Sequence, residues 1–168
     1  YLSNKNETTF SQKDIKKEKL VRYGKPIKDP KVLLIGPPIT IPKYMQKRCI
    51  PPLGISYIAS SLEKNNIDVE IIDCCVEGWH TERYNGNLVT YGLPPEELIE
   101  RIKNEKYDVI GLSVLFSTDL PNLYETTKAV RKAQPNSTIV VGGLHPTIYP
   151  DEIFELDIEF NEEKTIDF

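Results

Sequence analysis

Two short stretches carry the residue types that could do chemistry. GLSVLFSTDLPN, residues 111–122, opens as a buried strand and then sets Leu115 and Phe116 directly before Ser117, Thr118 and Asp119. A loop that leaves a strand is ordinarily polar throughout. An apolar pair beside a hydroxyl pair instead suits a large, flat, partly apolar ligand with polar side arms. VVGGLHPT, residues 140–147, joins Gly142 and Gly143 to His145, Pro146 and Thr147. The glycines permit positive φ and let a ligand approach the backbone, or they make a tight strand exit. His145 has no histidine or cysteine close to it in sequence, so it reads as a polar contact or a hydrogen-bonded structural residue. Trp79, in GWH, is a packing anchor or a cover for the face of a flat ring.

Other chemistries are excluded by what the loops lack. Neither G-x-x-x-x-G-K-S/T nor G-x-G-x-x-G follows Ile35, and the Gly36-Pro37-Pro38 start removes backbone donors that a phosphate cradle needs. A phosphoacceptor site would need acidic residues at the ends of the first and third strands, where the chain has Gly36-Pro37 and Leu115-Phe116. The three cysteines, Cys49, Cys74 and Cys75, match no zinc or iron–sulfur spacing and form a poor disulfide framework. They read as free thiols of a reducing, cytoplasmic compartment. A net charge of −4 gives no basic field for nucleic acid, and no apolar run is long enough for a membrane span. The start at Tyr1, with no export signal, reads as a piece of a longer chain.

These loops need elements to position them. Residues 1–30 are polar and Lys/Glu-rich, a tail or lead-in from which Phe10, Leu20 and Tyr23 could dock. From Lys31 the pattern alternates: strands at 31–36, 68–73, 108–114 and 137–143, with helices at 53–66, 95–106 and 120–134. Residues 37–52, with five prolines, and 74–94 read as connections. LHPTIYP reads as a loop, 151–156 as a short helix, 157–160 as a fifth strand that stops early, and 161–168 as the opening of a last helix. Strand–helix alternation at this spacing predicts a doubly wound α/β domain over 31–168: an open parallel sheet, Rossmann-like or flavodoxin-like, of about five strands flanked by helices. Ligands of such sheets sit outside the strands' carboxyl ends. Both stretches quoted above lie there.

In order and spacing, GPP…PPLGISYIASSLEKNNIDVEIIDC, GWHTER, YGLPPEELIERI, YDVIGLSVLFSTDLPN and VVGGLHPT resemble the amino-terminal cobalamin-binding domain of cobalamin-dependent radical SAM enzymes. The resemblance covers roughly residues 31–156. It implies cobalamin over the strands' carboxyl ends, with its nucleotide tail inserted into the domain. Leu115, Phe116, Ser117 and Thr118 would line the corrin and tail pocket, and Gly142, Gly143, His145, Pro146 and Thr147 the opposite wall. The 51–54 PPLG turn, with Pro52, Leu53 and Gly54, would shape the first wall, with Trp79 beside the lower corrin face. No D-x-H-x-x-G is present, so cobalamin would bind with its own base displaced and no histidine on cobalt.

The resemblance further implies methyltransferase-like chemistry with a radical SAM domain as partner in the same parent chain. S-adenosylmethionine and a 4Fe–4S cluster would belong to that domain, because this chain has no C-x-x-x-C-x-x-C and is not expected to be catalytic alone. One departure stands out. The family continues its fifth strand into a Gly/Glu-rich loop, whereas here Phe160 passes straight to NEEKT, leaving Glu162 and Glu163 as doubtful remnants. Two other readings compete: a stand-alone cobalamin carrier or sensor, and a flavodoxin-like interaction module without cofactor.

Overall fold

β1 (Lys31–Gly36) is a continuous apolar run because both of its faces are covered: Val32, Leu33, Leu34 and Ile35 are all buried. In the computed structural model, which describes residues 27–168, it is a central strand of a four-stranded parallel sheet. The sheet order is β3 (Asp68–Asp73), β1, β6 (Val109–Ser113), β7 (Thr138–Gly142). Crossovers run through α1 (Leu53–Lys64) from β1 to β3, α3 (Pro95–Ile102) from β3 to β6, and α4 (Leu120–Ala133) from β6 to β7. The order reverses between β1 and β6, which is the topological switch point where such sheets take ligands.

The two sheet faces are covered unequally. Leu33, Ile35, Ile110, Leu112, Ile139 and Val141 join one large core with residues of α3, α4 and α6 (Pro150–Asn161). On the opposite face Val32 and Leu34 pack on Ile55 and Ala59 of α1, with Leu62, Ile67, Val69 and Val109 around them. Beside α1, a groove of about 530 Å³ runs over β6 and β7.

The carboxyl-terminal expectations need correcting. Residues 157–160 are not a strand; they lie within α6. A strand pairing of Ile158 with Phe160 would bury both, yet they are 53% and 51% exposed. The buried residues are Ile153, Asp157 and Asn161, four apart, as one face of a helix requires. Nor do residues 161–168 open a helix: Glu162, at φ 60°, ends α6 in the left-handed conformation. Asp157 then accepts hydrogen bonds from the Thr165 and Ile166 amides at 2.7 and 3.0 Å. This anchor lays residues 167 and 168 along β7, where the Asp167 amide donates to the Ile139 carbonyl and the Val141 amide to the Phe168 carbonyl. The edge position expected for a fifth strand is thus filled from a later part of the chain.

Both expected connections carry further structure. β2 (Ile39–Pro42), β4 (Glu82–Asn85) and β5 (Leu88–Tyr91) form a small antiparallel sheet in the order β2-β5-β4. The β4–β5 turn contains Gly86 at φ 55°, a value suited to glycine in a tight hairpin. This small sheet is tied to α4 by Asn122, which donates to Thr40 Oγ1 at 2.9 Å, and by the Arg83–Glu125 ion pair. Cys74 and Cys75 begin the one-turn helix α2 (Cys74–Glu77), whose first amides are capped by the Asp73 carboxylate. LHPTI is the short helix α5 (Leu144–Ile148) rather than a loop. The expected contacts of Phe10, Leu20 and Tyr23 lie outside the described residues.

Candidate functional site

β6 presents two different faces. Ile110 and Leu112 point into the large core, followed by Val114, and all three are buried. Val109, Gly111 and Ser113 point the other way, so the strand surface there is low. Val140 and Gly142 do the same on β7, and Gly54, Ile58 and Leu62 of α1 form the side wall. The result is an apolar groove that runs along the strands from Pro30 and Ile67 to Leu115 and Gly143 at the sheet's carboxyl edge. A Cβ placed on Gly142 or on Gly54 would meet nothing within 4 Å, so both glycines face open space.

Gly143 has a different reason to be glycine. Its φ is 120°, and a Cβ there would lie 2.1 Å from the Val114 carbonyl oxygen. The exit of β7 therefore presses directly against the exit of β6, bringing the two stretches first quoted together. Ser117 Oγ and His145 Nδ1 are 2.9 Å apart, a hydrogen bond between those two stretches. His145 is buried, and its Nε2 has no hydrogen-bond partner; Glu152 Oε2 lies 3.9 Å from it. Thr147 donates its hydroxyl to the Gly143 carbonyl at 2.7 Å, and Pro146 sits half-buried within α5. Ser117 to Asp119 form a single 3-10 turn leading into α4. Burial raises the Asp119 carboxyl above its ordinary pKa, a rise partly offset by a hydrogen bond from the Phe116 backbone.

Leu115 and Phe116 are 55% and 61% exposed at the groove mouth and the adjoining loop, and Thr118 is exposed beside them. Pro52 caps the start of α1, followed by exposed Leu53 and by Gly54 in the groove wall. Leu115, Gly54, Gly142 and Gly143 thus share one groove, with Phe116 and Ser117 at the exit of β6 and His145, Pro146 and Thr147 in α5 beside it. Trp79 is not brought to the groove. It packs edge-on against Tyr91, with centroids 5.6 Å apart, and the Lys47 ammonium lies 4.6 Å over its ring. Glu162 and Glu163 belong to the turn that closes α6, away from the groove lining. Among the described residues no three His, Cys, Asp or Glu side chains converge as a metal site would require. No helix among those residues is long and apolar enough to cross a membrane.

Sequence reasoning missed Gly111, Ser113, Val140 and Ile58, which line the groove. A signal for the first two existed: Gly111 and Ser113 alternate with Ile110, Leu112 and Val114, placing the two small residues on one face and the large apolar ones on the other.

A parallel sheet with a switch point and an apolar slot at its carboxyl edge defines a cofactor-binding α/β domain. Residues 46–163 match the B12 binding domain family, and the chain belongs to that family. It is also similar to a cytidylyl-2-hydroxyethylphosphonate methyltransferase of Streptomyces wedmorensis, with 31% identity over 106 residues. That match covers 61% of this chain and 20% of the relative's length.

Proposed function

We propose that residues 31–168 are the cobalamin domain of a larger radical SAM enzyme of methyltransferase type, acting in the cytoplasm. The observation that carries the cofactor reading is the groove. It is apolar, floored by small residues, and open beside Gly54 and Gly142, where any larger side chain would fill it. A flat aromatic base requires such a slot, and the nucleotide tail of cobalamin ends in one. With the tail in the groove, the corrin would lie at the carboxyl edge against Leu115 and Phe116. Bound cobalamin supplies a cobalt centre able to receive and hand on a methyl group. The chain itself orients the cofactor, keeps the tail dry, and offers no D-x-H-x-x-G histidine to the metal. The methyltransferase reading draws support from the Streptomyces wedmorensis relative, and the radical SAM partner from the motif order. S-adenosylmethionine and the 4Fe–4S cluster would be held by that partner domain.

The test compares hydroxocobalamin with cobinamide, which has the corrin but lacks the nucleotide base. Cobalamin retained after desalting, with cobinamide lost, is the expected result. Equal retention of the two would rule out the groove as the tail site.

A further inference from the structure

We propose that Ser117 is held as an acceptor-only group that selects a carboxamide over a carboxylate on the bound ligand. The assignment rests on the cobalamin reading above and names the chemistry by which this rim would recognise a peripheral side arm.

The reasoning starts from the buried imidazole. His145 is 3% exposed; Nδ1 is bonded to Ser117 Oγ at 2.9 Å, and Nε2 has no hydrogen-bond partner. The Glu152 carboxylate lies 3.9 Å from Nε2. A neutral imidazole carries its proton on one nitrogen and a lone pair on the other. With the proton on Nδ1, the Nε2 lone pair would lie 3.9 Å from a carboxylate in a site closed to water, a repulsive arrangement. With the proton on Nε2, the N–H lies in the attractive field of the carboxylate 3.9 Å away, beyond hydrogen-bond distance, and the Nδ1 lone pair accepts the Ser117 hydroxyl proton. The charge on Glu152 therefore sets the tautomer, and the tautomer sets the direction of the serine hydroxyl.

Ser117 has one hydroxyl proton, committed here to His145. The lone pairs it turns toward solvent can only accept. Thr147 is in the same condition, because its hydroxyl donates to the Gly143 carbonyl at 2.7 Å. A ligand group meeting this rim must bring the proton, as a carboxamide N–H does. A carboxylate would set lone pair against lone pair. Sites built around one direction of hydrogen bonding reject the wrong partner because the mismatch leaves polar groups unpaired. Ser117 would touch the ligand; His145 and Glu152 are positioning residues.

Two measurements test the assignment on the full chain. Long-range 15N–1H correlation spectra of the ligand-free protein should show His145 protonated at Nε2 and bare at Nδ1. A proton on Nδ1 overturns the proposal. Binding of hydroxocobalamin is then compared with its monocarboxylic derivatives, in which one peripheral amide is hydrolysed. At least one derivative should bind roughly tenfold or more weakly. Ser117→Ala should erase that difference, and His145→Asn, which keeps an acceptor near the Nδ1 position, should retain it. Glu152→Lys, at a partly exposed position, should move the proton to Nδ1, turn the serine hydroxyl outward and shift the preference toward the carboxylate. A preference unchanged by both Ser117→Ala and Glu152→Lys refutes the assignment. If no cobalamin is retained while the Nε2 proton is present, the cofactor reading has failed and the ligand assignment with it, whereas the tautomer stands.

Discussion

Adjacent glycines at the end of β7 should fail in opposite ways when substituted. Gly142 lies outside the positive-φ region and has nothing within 4 Å of a built Cβ, so Gly142→Leu places its side chain over the groove without backbone strain. Replacing a strand glycine by an apolar residue leaves stability unchanged or raises it by up to ~1 kcal/mol. The cost falls on the ligand. An aromatic group of indole size buries about 150–250 Å². At ~25 cal/mol per Å² that burial is worth about 4–6 kcal/mol. Since ~1.4 kcal/mol is tenfold in Kd, exclusion of the base should weaken cobalamin binding by about three to four decades. The variant should then bind cobalamin no better than wild type binds cobinamide. Gly143→Ala, at φ 120° with a Cβ 2.1 Å from the Val114 oxygen, should instead lower the melting temperature before any ligand is added. Absorbance titration and thermal denaturation read the two effects separately. Gly142→Leu with cobalamin affinity within threefold of wild type would refute the reasoning.

Four further outcomes follow from particular contacts. Asp157→Ala leaves the buried Thr165 and Ile166 amides without their acceptor. It should cost about 2–5 kcal/mol in urea denaturation, and a loss below ~1 kcal/mol would contradict the anchoring role. Phe116→Ala, at an exposed position, should leave the urea midpoint unchanged and weaken cobalamin binding by roughly tenfold, read by titration. Iodoacetamide at pH 8 should modify Cys49 alone in the native protein, read as a single mass adduct. Cys49 is exposed, while burial pushes the Cys74 and Cys75 thiols up to about 12 and leaves almost no thiolate. Asp119→Asn should raise the melting temperature at pH 7. Burial lifts the folded-state pKa of Asp119 above its unfolded value, so the folded chain binds more protons and loses stability as pH rises through the carboxylate range. The gain over wild type should vanish below that range, where both side chains are neutral, and a gain that persists there would refute the cause.

The main sheet was legible because its signals are local. KVLLIG is apolar on both faces, Asn65 and Asn66 close α1, and Pro95 with two glutamates opens α3, features that need only neighbouring residues. What escaped depends on distant partners. β2 is a short, proline-bounded segment that becomes a strand by pairing with β5, whose residues come nearly fifty positions later. The β4–β5 hairpin did have a local signal, the Asn85-Gly86 turn, that went unused. DIEF alternates like a strand, yet the buried Asp157 that anchors Thr165 and Ile166 decides its helical phase. At the candidate site, the loop residues were legible from their unusual chemistry. The groove was not, because it lies where Gly54 and Gly142 carry no side chain and open space takes its place.

The most direct test of the cobalamin reading is an absorbance spectrum of the chain after incubation with hydroxocobalamin and desalting. Stoichiometric cobalamin with a base-off spectrum is the expected result, since the base would occupy the groove and no histidine would reach cobalt. Cobalamin retained base-on, or a spectrum without cobalamin from a protein shown to be folded, would contradict it.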